Sequence, residues 1–188
     1  YLDSCRKIKY MFPKAHAVAY LIAAIRMMWF KIHYPLEFYA TYFTVRGEDI
    51  DYEAAIGGKA VAKQHIEQLQ MKLREERTAK NEDLLTSLLL LNEMLCRGYE
   101  CRPIELGKSR ATRYTVEAGE IRLPFLALKG VGETAAAALE AATIEGQAYL
   151  SVEELQQATG ISSAVVEGLE KAGALSHLPK SNQISLFG

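Results

Sequence analysis

Cysteine is scarce in this sequence. The three cysteines, Cys5, Cys96 and Cys101, are odd in number and widely spread. That excludes a disulfide framework and leads us to expect a reducing, cytoplasmic setting. The four histidines, at 16, 33, 65 and 177, pair with no cysteine at zinc-like spacing, so no metal centre is expected. Net charge is almost absent: 22 Lys and Arg oppose 23 Asp and Glu, a formal −1. No global field therefore draws the chain to nucleic acid or membrane. An uninterrupted apolar span is missing too. Ala17–Ile25 and Met27–Phe30 are split by Arg26, whereas a bilayer span needs about 20 apolar residues. Basic residues 6–14 ahead of that run imitate a secretion signal, but no Ala-x-Ala cleavage pattern follows and Arg26 and Lys31 come at once. The chain opens on Tyr1 rather than Met, which suggests a fragment or processed piece of a larger protein.

What the sequence does have is apolar mass. At 188 residues and 49% hydrophobic it suits one or two domains with a real core, and disorder is excluded for most of it. The balanced total hides a gradient. Residues 1–35 carry Arg6, Lys7, Lys9, Lys14, Arg26 and Lys31 against Asp3 alone, while residues 133–170 carry seven Glu and no Lys, Arg or Asp. Such asymmetry localises function better than the total does.

The periodicity predicts a mainly α protein with a small β-hairpin or sheet. Residues 15–33 read as one helix, apolar on nearly every side, of the kind buried inside a large assembly. Pro35 ends it, and Leu36–Thr44 forms another short helix. Gly57 and Gly58 interrupt, a charged helix covers 60–77, and Asn81–Arg97 is amphipathic, with Leu84, Leu85, Leu88, Leu91 and Leu95 in helical register and Gly98 as its stop. The period then changes to two: Tyr114, Val116, Ile121, Leu123 and Phe125 alternate around Ala118-Gly119, a hairpin signal. A helix from Glu133 to about Ala142 follows. A second unit starts at Ser151 with Glu154 in capping-box register, turns at Gly160-Ile161-Ser162 and resumes over Ser163–Lys171. The tail, 176–188, is expected to be flexible.

Three motifs carry chemistry. In Leu128-Lys129-Gly130-Val131-Gly132 two glycines flank an apolar residue ahead of a helix. Amides at a helix start, with the helix dipole and a lysine, suit a phosphate. This is the helix-hairpin-helix pattern of a sequence-nonspecific DNA-backbone clip, with Lys129, Gly130, Val131, Gly132 and Thr134 as its candidate contacts. The alternative is a turn that only packs two helices. The unit around Gly160 is a degenerate partner hairpin in acidic surroundings, for which packing is the favoured role. The second motif, residues 6–16, places Arg6, Lys7, Lys9, Lys14 and His16 among two aromatics. Cations suit a polyphosphate and flat rings suit a base; a solvated basic loop is the alternative. The third is Gln183-Ile184-Ser185-Leu186-Phe187, whose Gln can bond a pocket rim while Leu and Phe fill apolar pockets. Alternatively Leu186 and Phe187 tuck onto their own domain.

The chain resembles bacterial replicative DNA polymerase III alpha subunits, above all the PolC type of low-GC Gram-positive bacteria. The residues that carry the likeness are Asp3-Ser4-Cys5, the stretch Lys7–Ala17 with Phe12-Pro13-Lys14-Ala15-His16-Ala17, His33-Tyr34-Pro35, Asn92-Glu93-Met94, Arg97-Gly98-Tyr99, Leu128–Gly132, Leu150–Leu155 and the terminal QISLF. Thr143 and Glu145 stand where the family often has Arg.

The resemblance implies the C-terminal part of the fingers over 1–100, a duplex-binding domain with tandem helix-hairpin-helix over 101–175, and a tail over 176–188 holding a clamp-binding peptide. It places Arg6, Lys7, Lys9, Lys14 and His16 near the incoming dNTP or template, the first hairpin on double-stranded DNA, and residues 183–187 on the sliding clamp. The family's palm carboxylates and their Mg²⁺ lie in the rest of the polymerase chain, so no catalytic residue and no cofactor are expected in this segment, which should not polymerise DNA alone. The competing readings are a stand-alone helix-hairpin-helix DNA-binding adaptor and a purely structural domain.

Overall fold

A computed structural model describes residues 13–46, 50–144 and 149–181. Among the described residues four helices come first: α1 (Lys14–His33), α2 (Pro35–Arg46), α3 (Tyr52–Glu75) and α4 (Ala79–Cys96). A three-stranded sheet follows, made of β1 (Cys101–Arg102), β2 (Thr115–Glu117) and β3 (Glu120–Arg122). A short 3-10 turn (Phe125–Ala127) then leads into α5 (Glu133–Ile144), α6 (Val152–Thr159) and α7 (Ser163–Lys171).

Local chemistry accounts for the boundaries. Pro35 cannot continue α1 but is well placed at the first position of α2. Asp51 caps α3, accepting from the Ala54 amide at 3.0 Å, and Thr78 caps α4, accepting from Asn81. The break expected at Gly57-Gly58 is a kink inside α3, with helix on both sides of Gly58 at φ +76°. Leu88, Leu91 and Leu95 of α4 are buried, as their spacing predicts, and Leu84 and Leu85 are half-buried. Gly98, at φ +89°, ends α4 as expected. The Tyr99 amide donates to Met94 O and the Gly98 amide to Leu95 O, the paired closure of a Schellman motif.

The sheet runs in the order β1-β3-β2. β2 and β3 form the expected hairpin, pairing Val116 with Ile121 across a two-residue turn. Both turn residues have positive φ, Ala118 at 52° and Gly119 at 85°, the conformation that matches strand twist. β1 adds in parallel, Cys101 opposite Ile121. Beneath the sheet Arg122 is buried. Its guanidinium donates to Glu117 Oε2 and Pro103 O, both at 2.8 Å, and lies 3.0 Å from Glu105 Oε2. Tyr39, Phe43, Phe125, Leu139 and Leu169 are fully buried in one continuous core that runs from α2 to α7. Each contributes about 1.5–3 kcal/mol by leaving water.

α1 departs from expectation: none of its residues is buried. Leu21, Ile25, Met28, Trp29 and Ile32 lie about half exposed, so the burial that its composition predicts is not supplied among the described residues. By length and composition α1 is apolar enough to cross a membrane despite Arg26. Its C-terminal end is clasped to α4. Lys31 Nζ lies 2.6 Å from Glu93 Oε2, the Tyr39 hydroxyl donates to Glu93 Oε1 at 3.2 Å, and Arg97 donates to the Tyr39 hydroxyl at 3.1 Å. Burial raises the Tyr39 pKa. Partial burial also pushes the Glu93 carboxyl up, but the Lys31 hydrogen bond and charge outweigh it and hold Glu93 below the usual range.

Candidate nucleic-acid interface

The first hairpin is built from two apolar anchors and a polar tip. Leu128 and Val131 are buried, while Lys129 and Gly130 between them are exposed. The Val131 amide donates to Leu128 O at 3.1 Å and closes the turn. Gly130 sits third in that turn at φ +90°, the position a type II turn reserves for glycine. Gly132 has no such conformation, and a Cβ there would meet nothing within 4 Å. The structure therefore requires glycine at 130 for its backbone and leaves Gly132 free of any internal demand.

α5 opens with the Ala136 amide donating to Gly132 O at 2.9 Å. The amides of Glu133, Thr134 and Ala135 have no carbonyl four residues back inside the helix, so they are donors for an outside acceptor. Thr134 is exposed beside them. Lys129 shares a cleft with Asp51, Glu53 and Glu133. Three carboxylates thus line the cleft that Lys129 borders, and the helix-start amides join the lysine as groups that favour an anion at this turn.

The second hairpin is a support. Gly160 caps α6 in the left-handed conformation, Ile161 is buried, and Ser162 caps α7 by accepting from the Val165 amide. Ser151 caps α6 by accepting from the Glu154 amide at 3.2 Å, and Glu154 in turn accepts from the Leu150 amide. A Cβ on Gly168 of α7 would lie 3.3 Å from Leu128 Cδ2. The small residue lets α7 approach the anchor of the first hairpin. Glu153, Glu154, Glu167 and Glu170 are exposed. The chain after α7 stays tied: Pro179 O and Lys180 O accept from the Val152 and Glu153 amides at 2.9 and 3.2 Å. Thr143 is buried with its hydroxyl donating to Leu139 O, so it faces the core.

Of the basic stretch, Arg6, Lys7 and Lys9 lie outside the described residues. Lys14 and His16 are exposed at the start of α1, two apart and so on different faces; His16 meets the Tyr20 ring edge-on. Lys14 lies about 26 Å along the helix axis from the Lys31 clasp. Gln183, Ile184, Ser185, Leu186 and Phe187 lie outside the described residues, as does Glu145. Among the described residues no three His, Cys, Asp or Glu side chains form a metal-binding group. Asp51 does not suit Mg²⁺, because Oδ1 caps α3 and Oδ2 lies 2.6 Å from His65 Nδ1. The Lys31–Glu93–Tyr39–Arg97 clasp escaped the sequence reading, since nothing local pairs residues so distant.

Residues 98–184 match the family model of the helix-hairpin-helix motif. Over its whole length the chain is 44% identical to DNA polymerase III PolC-type of Staphylococcus saprophyticus, 43% to that of Streptococcus thermophilus and 45% to that of Halalkalibacterium halodurans. The chain belongs to the PolC-type DNA polymerase III family. It spans about 13% of the length of these PolC relatives. The tandem hairpins described above thus belong to one segment of a PolC-type polymerase, and the first of them shares a cleft with the start of α3 and with Leu84 of α4.

Proposed function

We propose that this segment serves a PolC-type replicative DNA polymerase in three ways. The first hairpin and the start of α5 grip the backbone of duplex DNA without reading sequence. Residues around Lys14 and His16, with Arg6, Lys7 and Lys9, lie near the incoming dNTP and template as the last part of the fingers. Residues 183–187 dock on the sliding clamp. Nucleotidyl transfer with Mg²⁺ belongs to carboxylates elsewhere in the polymerase, and the protein works in the cytoplasm. The exposed apolar face of α1 is then covered by other parts of the polymerase rather than by lipid. Lys14, Arg26 and Lys31 along the helix and the Lys31–Glu93 ion pair at its end favour that assignment.

The observation that carries the duplex grip is the turn itself: buried Leu128 and Val131 hold an exposed Lys129-Gly130 tip beside helix-start amides that have no acceptor within their own helix. The test measures binding to duplex DNA and to the bacterial sliding clamp, with and without residues 183–188. DNA binding should persist and clamp binding should vanish on deletion. Salt-independent DNA binding would refute the backbone grip, because phosphate contacts weaken as salt rises. Clamp binding that survives the deletion would refute the tail's role.

A further inference from the structure

Residues 102–122 contain four arginines, and the structure treats one of them differently. Arg102 pairs with Glu120 and Glu117, Arg110 with Glu140, and Arg122 with Glu117 and Glu105. Arg113 is exposed, and among the described residues no carboxylate pairs with it. Its loop is nevertheless held on three sides. The Glu140 side chain of α5 accepts from the Ala111 amide and from Arg110 Nη1 at 3.2 Å. The Phe125 and Leu126 amides, just ahead of the hairpin, donate to Arg110 O and Ala111 O, both at 2.9 Å. The Tyr114 amide donates to Thr44 Oγ1 of α2 at 3.1 Å. Thr112 and Thr44 line a small cleft together with Glu133, the first residue of α5. The tethered loop thus places the exposed Thr112 beside the helix start that the hairpin uses, with the exposed, unpaired Arg113 next to it in the chain.

Building on the duplex grip above, we propose that Arg113, with Thr112, is a second phosphate contact. It would extend the clip from Lys129-Gly130 along the same DNA strand toward the end of α2. Duplex DNA carries a phosphate about every 3.4 Å of axis on each strand, so a clip that holds one phosphate brings its neighbours within reach of a flanking cation. The guanidinium adds a second cation to Lys129, whose own cleft is also lined by three carboxylates. Arg113 makes no ion pair among the described residues, so its removal should leave the fold intact.

The experiment measures duplex DNA affinity against salt concentration in the complete polymerase chain, for the unaltered protein and for R113A, R113K, K129A and K63A. Lys63, next to Glu67 on α3, is the remote control. R113A should lower the magnitude of the slope of log affinity on log salt by about 0.9, one released phosphate contact, and R113K should restore it. Thermal melting should be unchanged. An unaltered slope in R113A, alongside a weakened K129A, overturns the Arg113 contact and leaves the hairpin grip standing. A slope that is flat in the unaltered protein overturns the grip and this extension together. Equal losses in R113A and K63A also overturn it, as an effect of net charge alone.

Discussion

The two hairpin glycines should separate stability from DNA binding. In Gly130→Ala the new Cβ meets nothing within 4 Å, so the whole cost is the backbone at φ +90°. A left-handed conformation costs an L-residue about 1–2 kcal/mol. For a chain of this size that lowers Tm by about 2–4 °C per kcal/mol. In Gly132→Ala neither strain nor crowding arises, so stability should stay within about 0.5 kcal/mol. Yet if a phosphate sits on the amides of 133–135, a methyl at 132 stands in its path. Losing one hydrogen bond to a charged group costs about 1.5–3 kcal/mol, which is tenfold or more in affinity. Urea or thermal unfolding supplies the first quantity and titration of labelled duplex DNA the second. Unchanged DNA affinity in Gly132→Ala would refute close approach of the backbone. Undiminished stability in Gly130→Ala would refute the requirement for glycine in the turn.

Other consequences are as concrete. Arg122→Met should cost about 3 kcal/mol, because Glu117 and Glu105 lose the buried guanidinium between them; thermal melting checks it. Glu93 is held below its ordinary pKa of 4.5, so its pairing stabilises at neutral pH and is lost as pH falls through the folded value. The stability difference between the unaltered chain and Glu93→Gln should therefore shrink as pH drops from 7 toward 3, and a difference constant with pH would refute the clasp. Burial pushes the Cys101 thiol up to about 12, whereas Cys96 is exposed. Alkylation near pH 8, read by mass spectrometry, should modify Cys96 and spare Cys101.

Local signals proved legible where the chemistry is local. The leucine register of α4, the Gly98 stop, the Ala118-Gly119 turn and the Ser151 cap each depend on a few neighbouring residues, and each is where the sequence places it. Contacts between distant segments were not legible. β1 is two residues long and exists only because β3 offers a free edge. Gly57-Gly58 reads as a breaker, and it is one: Gly58, at φ +76° and ψ −166°, kinks the chain between two helical stretches within Tyr52–Glu75. The hairpin motif revealed where a phosphate could sit, but not that carboxylates line the cleft Lys129 borders or that the Arg113 loop is held nearby, because both depend on how α2, α3 and α5 converge. α1 shows the limit from the other side: its composition predicts burial, and none of its residues is buried among the described residues.

The most direct test of the duplex grip is amide hydrogen exchange over residues 128–136 with and without duplex DNA. The amides at the start of α5 have no acceptor within the helix, so a bound phosphate should slow their exchange selectively, and added salt should restore it. Exchange at these amides that is indifferent to saturating DNA would contradict the account, whatever the affinity of the chain as a whole.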